Sequence, residues 1–300
     1  MINKIRSVMS SLTKIRREDI FLASFFIPAL VLLFIFQLIP TVWAIQFSFT
    51  DMALIGRKFL NPSYVGLMNF QRLAGDRIFW KSVSATFEYC LISLVWRFTL
   101  GLIFSLYLTS KIFKGKSVMA AIFLFPWITP GVLKPFIWIS VLDTRYGTAN
   151  RLLQLLGLPP QSWVYERAML SAIAINSWAG YAFPMLVLAS ALTSIPKEYY
   201  EIAEIHGASR WYRFTHITLP LIKFPLVLCA IMIFKEDIDD FTYVYMLTDG
   251  GPNYRTELLS LYAYHKAFVY YKLGYGSAVG LVIAAIAFIL GLAQLKAAKF

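Results

Sequence analysis

The sequence predicts an all-α, polytopic membrane protein with six membrane-spanning helices. Of the 300 residues, 59% are hydrophobic and only 15% are charged, and the mean hydropathy is +0.64. Soluble domains contain about 25% charged residues, so this composition indicates a chain that is largely surrounded by lipid. Six apolar runs are long enough to cross a hydrocarbon core of about 30 Å, for which a helix needs roughly 20 residues.

The six runs define the predicted spans and the division of the chain. They occupy residues 20–49, 83–109, 118–142, 168–192, 221–247 and 277–295. The first run lacks a small-residue cleavage site and is longer than a signal-peptide core, so we interpret it as a retained anchor. It separates an N-terminal tail, residues 1–19, from a transmembrane domain, residues 20–300. An even number of crossings places both termini on the same side of the membrane.

The basic N-terminal tail predicts that this side is the cytoplasm, because positive residues beside the first span usually stay inside. The tail carries Lys4, Arg6, Lys14, Arg16 and Arg17. Over the whole chain the bias is small, with fourteen Lys and Arg in the predicted inner segments and eleven in the outer ones. The predicted orientation therefore depends on the flank of the first helix.

Two connecting segments are predicted to have structure of their own. Residues 50–81 form a long connection with several turn residues and are predicted to fold as a small extracytoplasmic cap. Residues 194–220 form a polar island between two apolar runs. Ser194 is predicted to cap a helix that starts near Pro196, and Gly207 then permits a sharp turn. A second helical pattern begins at Trp211, so we predict two short helices at the membrane surface.

Several function classes are excluded by the sequence. The net charge of +12 does not indicate nucleic-acid binding, because the basic residues are spread over both membrane faces without interleaved aromatics. Residues 115–117 mimic the end of a phosphate loop, but Ser110 stands where its first glycine would be. The three histidines are scattered without metal-ligand spacing, and Cys90 and Cys229 lie inside predicted spans. We therefore expect no enzymatic activity, cofactor, metal or disulfide in this chain.

The fifth run contains a cluster of five charged residues at positions 235–240, which is unusual because a charge in mid-span costs about 2.5–3.5 kcal/mol on insertion scales. Lys235 and Asp239 are four residues apart and can pair along one helix. The acidic residues on the other face predict a substrate path, because carboxylates accept hydrogen bonds from hydroxyl groups and aromatic rings stack on pyranoses. The predicted path residues are Glu236, Asp237, Asp240, Tyr243 and Lys134.

A structural role for these charges is the alternative. They could form ion pairs between spans, with Arg97 or Lys134 as the cation, and the sequence does not separate this interpretation from a substrate path. Pro225 and the high polarity also permit an unwound segment that would expose backbone groups to the same cavity. Lys134 could favour an acidic sugar, so the charge of the substrate stays open.

The polar island resembles the cytoplasmic loop of ABC importer permeases, which reads EAA, then three residues and a glycine, then I-x-LP. The corresponding residues here are Glu201, Ile202, Ala203, Gly207, Ala208, Ile217, Leu219 and Pro220. Ile202 departs from the pattern by replacing an alanine, and His206 does so by standing where an aspartate commonly precedes the glycine. The similarity covers nearly the whole chain. It is closest to carbohydrate importers of the maltose or glycerol-phosphate type, whose T-x-GGP and GY-x-x-A motifs match residues 248–252 and 274–278.

This resemblance implies a type I ABC importer permease, one half of a heterodimeric pore in the cytoplasmic membrane of a bacterium or archaeon. It implies a second homologous permease, an ATPase dimer that holds ATP and Mg²⁺, and an extracytoplasmic binding protein that delivers a sugar, oligosaccharide or related polyol. The residues implied to dock the ATPase are Glu201, Ala203, His206, Gly207, Ala208, Ile217, Leu219 and Pro220. The alternative is an ion-coupled secondary transporter that uses the carboxylates of the fifth run.

Overall fold

A computed structural model describes residues 17–110 and 115–298 of the protein, and within these ranges it contains helices and no β-strand. Thr50 and Tyr64 form one isolated antiparallel bridge. The predicted all-α class is therefore confirmed. The four basic residues of the predicted tail that precede residue 17, and residues 111–114 of an inner connection, lie outside the described residues. The four tail residues are Lys4, Arg6, Lys14 and Arg16.

Seventeen α-helices are present in the described ranges. The first nine are α1 Arg17–Leu33, α2 Ile39–Ser48, α3 Arg57–Leu60, α4 Met68–Gly75, α5 Arg77–Thr109, α6 Lys116–Ile128, α7 Leu133–Val141, α8 Thr148–Leu155 and α9 Ala168–Gly180. The others are α10 Ala182–Thr193, α11 Lys197–Ile205, α12 Arg210–Arg213, α13 Leu219–Leu221, α14 Lys223–Asp239, α15 Thr242–Thr248, α16 Leu259–Tyr264 and α17 Leu273–Ala298. The π-helical turns are Phe34–Leu38, Phe214–Thr218 and His265–Val269.

Three continuous helices and two bent helix pairs correspond to five of the six predicted spans, and α14 of a third bent pair lies in the fifth. The continuous helices are Ser24–Ser48, Arg77–Thr109 and Leu273–Ala293. Helices α6 and α7 meet at 104°, α9 and α10 at 43°, and Arg210–Leu221 and α14 at 66°. A proline accompanies each bend, at Pro130, Pro184 and Pro225, because proline lacks the N–H that would continue the helix. The third predicted span is thus not one helix but two helices that meet at a sharp angle.

Helix α5 lies at the centre of the fold and packs against α9, α10, α14 and α16. Its buried positions recur every three or four residues, and most of them hold small or hydroxyl-bearing side chains. Small residues let neighbouring helices approach closely. At Gly101, for example, a Cβ atom would lie 3.0 Å from the backbone nitrogen of Met185 in α10. This close packing brings the charged Arg97 of α5 within reach of two other spans.

The first span is largely uncovered by the described part of the chain. Every side chain from Ser24 to Leu38 is exposed, and these side chains are mostly large and apolar. The following helix, α2, packs against another span, α17. The first span therefore presents its apolar surface to lipid or to another subunit.

The N-terminal end of α5 is held by Asp76. Its carboxylate accepts hydrogen bonds from the backbone N–H groups of Ile78 at 2.8 Å and Phe79 at 3.4 Å. The hydroxyl groups of Tyr262 and Tyr275 donate to the same carboxylate at 2.6 and 3.3 Å. Burial alone would raise the pKa of Asp76, but these hydrogen bonds outweigh it and hold the pKa below its ordinary value. Asp76 thus joins the start of α5 to α16 and α17.

We expect Asp76→Ala to lower the thermal unfolding midpoint of the purified protein more than Asp143→Ala does. Both residues accept backbone hydrogen bonds at a turn, but Asp143 is exposed and bonds only to the N–H groups of Arg145 and Tyr146. Loss of a helix cap costs about 0.5–2 kcal/mol, and the two tyrosine hydroxyls would also lose their acceptor.

The stabilisation from Asp76 should depend on pH with a defined sign. Because the pKa is depressed in the folded protein, the contribution is present above the unfolded pKa of about 3.9 and is lost as the pH falls through the folded value. Equal losses of stability in the two alanine variants would show that Asp76 acts only as a local cap.

Candidate functional site

The loop that is predicted to be cytoplasmic, residues 194–220 and here called the inner loop, forms a short helix, a tight turn and a second helical segment. Helix α11 ends at a turn in which the N–H of Ala208 donates to the carbonyl of Ala203 at 2.9 Å. Gly207 has a φ of +75°, a left-handed conformation that favours glycine. Ser209 then caps α12 by accepting the N–H of Tyr212 at 3.2 Å. Two helical segments and a Gly207 turn were predicted here, and this is the geometry observed.

One local prediction in this loop is wrong. Ser194 does not cap α11, because its hydroxyl donates to the carbonyl of Ser190 at 2.9 Å and so belongs to the end of α10. Helix α11 instead follows Pro196, which has no side-chain hydrogen bond to offer. The N-terminal N–H groups of α11 therefore receive no capping side chain, and Glu198 lies in the first turn.

Side-chain contacts fix the inner loop to the ends of the spans. The hydroxyl of Tyr200 in α11 lies 2.9 Å from the hydroxyl of Thr218 in the second segment. Glu204 and Arg213 form an ion pair at 3.2 Å. Ile195 and Ile222, at the two ends of the loop, are buried in one apolar cluster with Leu188 of α10. A displacement of α11 would thus be transmitted to α10 and α14.

Half of the eight predicted docking residues lie on the open surface of this loop. Glu201, His206, Gly207 and Pro220 are exposed, whereas Ala203, Ala208, Ile217 and Leu219 are half-buried. Sequence reasoning did not select Ile202 and Ile205 for docking, although they are 57% and 84% exposed and lie on one face of α11 with Glu201. The available signal was their spacing. Ile205 follows Ile202 by three residues and Glu201 by four, so these side chains are neighbours on the surface of a helix. Helix α11 therefore presents an apolar and acidic surface.

An open pocket of about 560 Å³, here called the central cavity, lies beside the fifth span. Its lining residues are Trp127, Phe183, Met232, Lys235, Glu236, Asp239 and Asp240. They come from the end of α6, the start of α10 and the end of α14, where the bends between helices open the packing. Aromatic rings and carboxylates therefore face the same space, an arrangement suited to a hydroxyl-rich ligand with apolar faces.

The fifth span is interrupted at this cavity. Helix α14 ends at Asp239, and Asp240 has an extended backbone before α15 begins at Thr242. The Asp240 carboxylate accepts the N–H of Thr242 at 2.8 Å and thereby starts α15. Lys235 and Asp239 are paired at 2.7 Å, as their spacing predicted. An unwound segment was predicted as permitted, and it is found at the acidic residues.

Arg97 lies behind the cavity and connects three spans. Its side chain is 2% exposed, and Nη1 lies 3.1 Å from both Oε2 of Glu236 and Oδ1 of Asp237. Its Nε and Nη2 atoms donate to the backbone carbonyl and the side-chain oxygen of Asn176 in α9, at 3.3 and 2.9 Å. Gly180 leaves the space for this guanidinium, because a Cβ atom there would overlap it. The guanidinium of Arg97 is thus held by contacts with both α9 and α14.

Not every residue of the predicted substrate path reaches the central cavity. Glu236 and Asp240 line it, whereas Asp237 and Tyr243 are buried behind it and Lys134 is buried in α7. Lys134 interacts electrostatically with Glu236 and Asp240. The sequence analysis missed the cavity-lining rings Trp127 and Phe183. Each is adjacent to a proline, Pro126 and Pro184, and a bend there was the signal that could have located them.

The T-x-GGP turn follows α15 and is held by hydrogen bonds between residues that are close in sequence. Thr256 donates to the carbonyl of Gly251 at 2.7 Å, and its hydroxyl lies 2.8 Å from that of Thr248. His265 lies between two carboxylates, 2.8 Å from Glu257 and 3.0 Å from Asp249. Burial raises the pKa of Glu257, and the hydrogen bond and charge of His265 oppose that rise. These contacts give the T-x-GGP turn a defined shape.

The sequence is similar to those of known transport proteins. The family described as "Binding-protein-dependent transport system inner membrane component" matches residues 19–296. The chain is 33% identical over 282 residues to the "Trehalose/maltose transport system permease protein MalF" of Thermococcus litoralis, with 91% of this chain and 92% of the relative covered. It is 30% identical over 277 residues to the "Multiple sugar-binding transport system permease protein MsmF" of Streptococcus mutans, with 92% and 94% covered.

A solved structure has the same fold. It is described as a "bacterial ABC transporter involved in the import of the acidic polysaccharide alginate". The match has a TM-score of 0.81 at 21% identity and covers 94% of this chain and 96% of that chain. The predicted fold class, a type I ABC importer permease, is thereby confirmed.

Proposed function

This chain belongs to the family of binding-protein-dependent transport system inner membrane components, and we propose that its substrate is a sugar, oligosaccharide or related polyol. It is a permease subunit of such an importer. The proposal about the substrate depends chiefly on the central cavity, where the rings of Trp127 and Phe183 face the carboxylates of Glu236 and Asp240. The names of two relatives, which refer to trehalose, maltose and multiple sugars, support the same class.

The inner loop is proposed to dock a separate ATPase subunit. Its helix α11 has no buried residue and exposes Ile202 and Ile205 beside Glu201. An amphipathic helix of this kind binds by laying its apolar face in a groove of a partner. ATP and Mg²⁺ would be held by that partner, and its closure would move α11 and, through the cluster at Ile195 and Ile222, the spans.

Two further partners are proposed. A second homologous permease would complete the pore, and the uncovered apolar surface of the first span between Ser24 and Leu38 is available for such a subunit or for lipid. A binding protein would deliver the substrate at the outer face, which includes the T-x-GGP turn. In this orientation both termini and the inner loop are cytoplasmic, and the membrane is the cytoplasmic membrane of a bacterium or archaeon.

The ion-coupled alternative has less support. It requires carboxylates that are free to bind and release a proton or sodium ion. Three of the four fifth-span carboxylates form ion pairs, Glu236 and Asp237 with Arg97 and Asp239 with Lys235, and the fourth, Asp240, accepts the backbone N–H of Thr242. Membership of a binding-protein-dependent family also favours the ATP-driven importer.

Purification of the tagged chain in mild detergent should yield a complex that contains a second permease and an ATPase. We expect the rate of ATP hydrolysis by this complex to rise severalfold when a binding protein loaded with sugar is added. Mass spectrometry of the co-purified chains and an ATPase assay are the measurements. A chain that purifies alone, without ATPase activity, would contradict the proposal and favour the ion-coupled transporter.

A further inference from the structure

Two carboxylates share the single positive charge of Arg97. One nitrogen, Nη1, lies 3.1 Å from Oε2 of Glu236 and 3.1 Å from Oδ1 of Asp237. A single guanidinium is therefore paired with two carboxylates of consecutive residues. Either carboxylate could leave, and the buried cation would still have a counter-ion.

The two carboxylates are in different surroundings. The Asp237 side chain is 1% exposed, and its Oδ1 also accepts a hydrogen bond from the Asn176 side chain at 2.9 Å. The Glu236 side chain is 59% exposed and lines the central cavity. Moving Asp237 would break two buried contacts, whereas moving Glu236 would break one contact at the edge of the open cavity. Glu236 is thus the carboxylate that can move.

Arg97 cannot follow a moving partner. Asn176 holds two of its nitrogens, Nε through the backbone carbonyl at 3.3 Å and Nη2 through the side-chain oxygen at 2.9 Å. The backbone at Gly180 lies directly against the guanidinium. The cation and Asp237 therefore form a fixed pair that connects α5, α9 and α14.

The charges that line the central cavity are unequal. Lys235 is paired with Asp239 at 2.7 Å and Glu236 with Arg97 at 3.1 Å, so Asp240 is the lining carboxylate that has no ion pair in the described part of the chain. Lys134 is buried and does not line the cavity. An uncharged, hydroxyl-rich ligand suits this lining, because hydroxyl groups donate to carboxylates and the excess of acidic groups would repel an acidic sugar.

We propose that Glu236 exchanges its carboxylate between Arg97 and the hydroxyl groups of an uncharged carbohydrate in the central cavity, while Asp237 stays bound to Arg97. Glu236 is then the fifth-span carboxylate that contacts the substrate. Arg97 is a positioning residue, because it holds Glu236 in place when the cavity is empty. This inference rests on the proposed function, since it takes the occupant of the cavity to be the transported carbohydrate.

Matched changes at the two neighbouring carboxylates test the proposal. The variants Glu236→Gln and Asp237→Asn each remove one negative charge with little change in volume. Both are made in the complex purified through the tagged chain. Its thermal unfolding midpoint is measured in detergent. Uptake of radiolabelled maltose and of trehalose is measured after reconstitution into vesicles with the binding protein.

We expect Glu236→Gln to keep the wild-type thermal midpoint and to lower kcat/KM for uptake at least tenfold. We expect Asp237→Asn to lower the thermal midpoint and the yield of assembled complex, because Arg97 loses its fixed counter-ion. Equal thermal losses in the two variants would make Glu236 a structural counter-ion and overturn the inference. Wild-type uptake by Glu236→Gln would overturn it as well.

The failure of the proposed function would look different. In that case the wild-type complex would take up neither sugar. The assignment of a carbohydrate to the central cavity would then fail together with the proposed function. The thermal comparison of Glu236→Gln with Asp237→Asn does not use transport. An inverted order of thermal stability would therefore refute the division of roles between the two carboxylates even in a complex that transports sugar.

Discussion

Replacing Glu201 with lysine is expected to prevent the ATPase from co-purifying with this chain, while membrane insertion stays normal. Glu201 is exposed on α11 and lies on the face that also carries Ile202 and Ile205. No hydrogen bond or ion pair within the described part of the chain is seen at its side chain, so the change leaves the fold intact. A reversed charge in a docked interface costs about 2–5 kcal/mol, which weakens binding by at least about thirtyfold.

Glu166→Lys is the matched control for this variant. It makes the same charge change at an exposed residue of the outer segment between α8 and α9, on the other predicted side of the membrane. We expect Glu166→Lys to co-purify with as much ATPase as the wild-type chain does, as judged by quantitative mass spectrometry. Undiminished ATPase in the Glu201→Lys preparation would show that α11 is not the docking helix.

Gly180→Ala is expected to destabilise the protein strongly, although alanine normally stabilises a helix. The added methyl group would overlap the guanidinium of Arg97 and expel it from its contacts with Asn176 and Asp237. Breaking a buried ion pair on one side costs about 3–5 kcal/mol. This loss outweighs the gain of up to about 1 kcal/mol that alanine brings to a helix.

Gly291→Ala is the control, because Gly291 lies within α17 and a Cβ atom there would meet nothing within 4 Å. We expect this variant to unfold at or slightly above the wild-type temperature, and Gly180→Ala to give mainly aggregated protein. The measurement is the fraction of monodisperse protein after heating in detergent. Matching curves for the two variants would mean that Arg97 can relocate without loss.

Features that depend on nearby residues were predictable from the sequence. The Lys235–Asp239 pair follows from a spacing of four residues on a helix. The turn at Gly207 follows from a glycine at the end of a helical pattern, and the observed φ of +75° is the reason that a glycine is favoured there. The apolar runs similarly located the spans, because their length is set by the membrane.

Features that depend on packing between helices were not predictable. Ser194 could serve the end of α10 or the start of α11, and its local sequence suits both roles. The prolines beside the third span signalled a bend but not its angle of 104°, since neighbouring helices decide its direction. No spacing rule joins Arg97 to Asp237, because they lie on different helices. The sequence therefore left a substrate path and an ion-pair network as equal alternatives, and the structure contains elements of both.

The separation of Arg97 from its counter-ions has a consequence for how the protein is made. Glu236 follows Arg97 by 139 residues, and Asn176 follows it by 79. At a synthesis rate of about 5–20 residues per second, the carboxylates leave the ribosome roughly 7–28 s after the arginine. Until then an isolated α5 would carry an uncompensated cation into the bilayer at a cost of about 2.5–3.5 kcal/mol. The second span thus gains from staying beside the insertion machinery until the fifth is complete, which makes membrane assembly of this chain sequential.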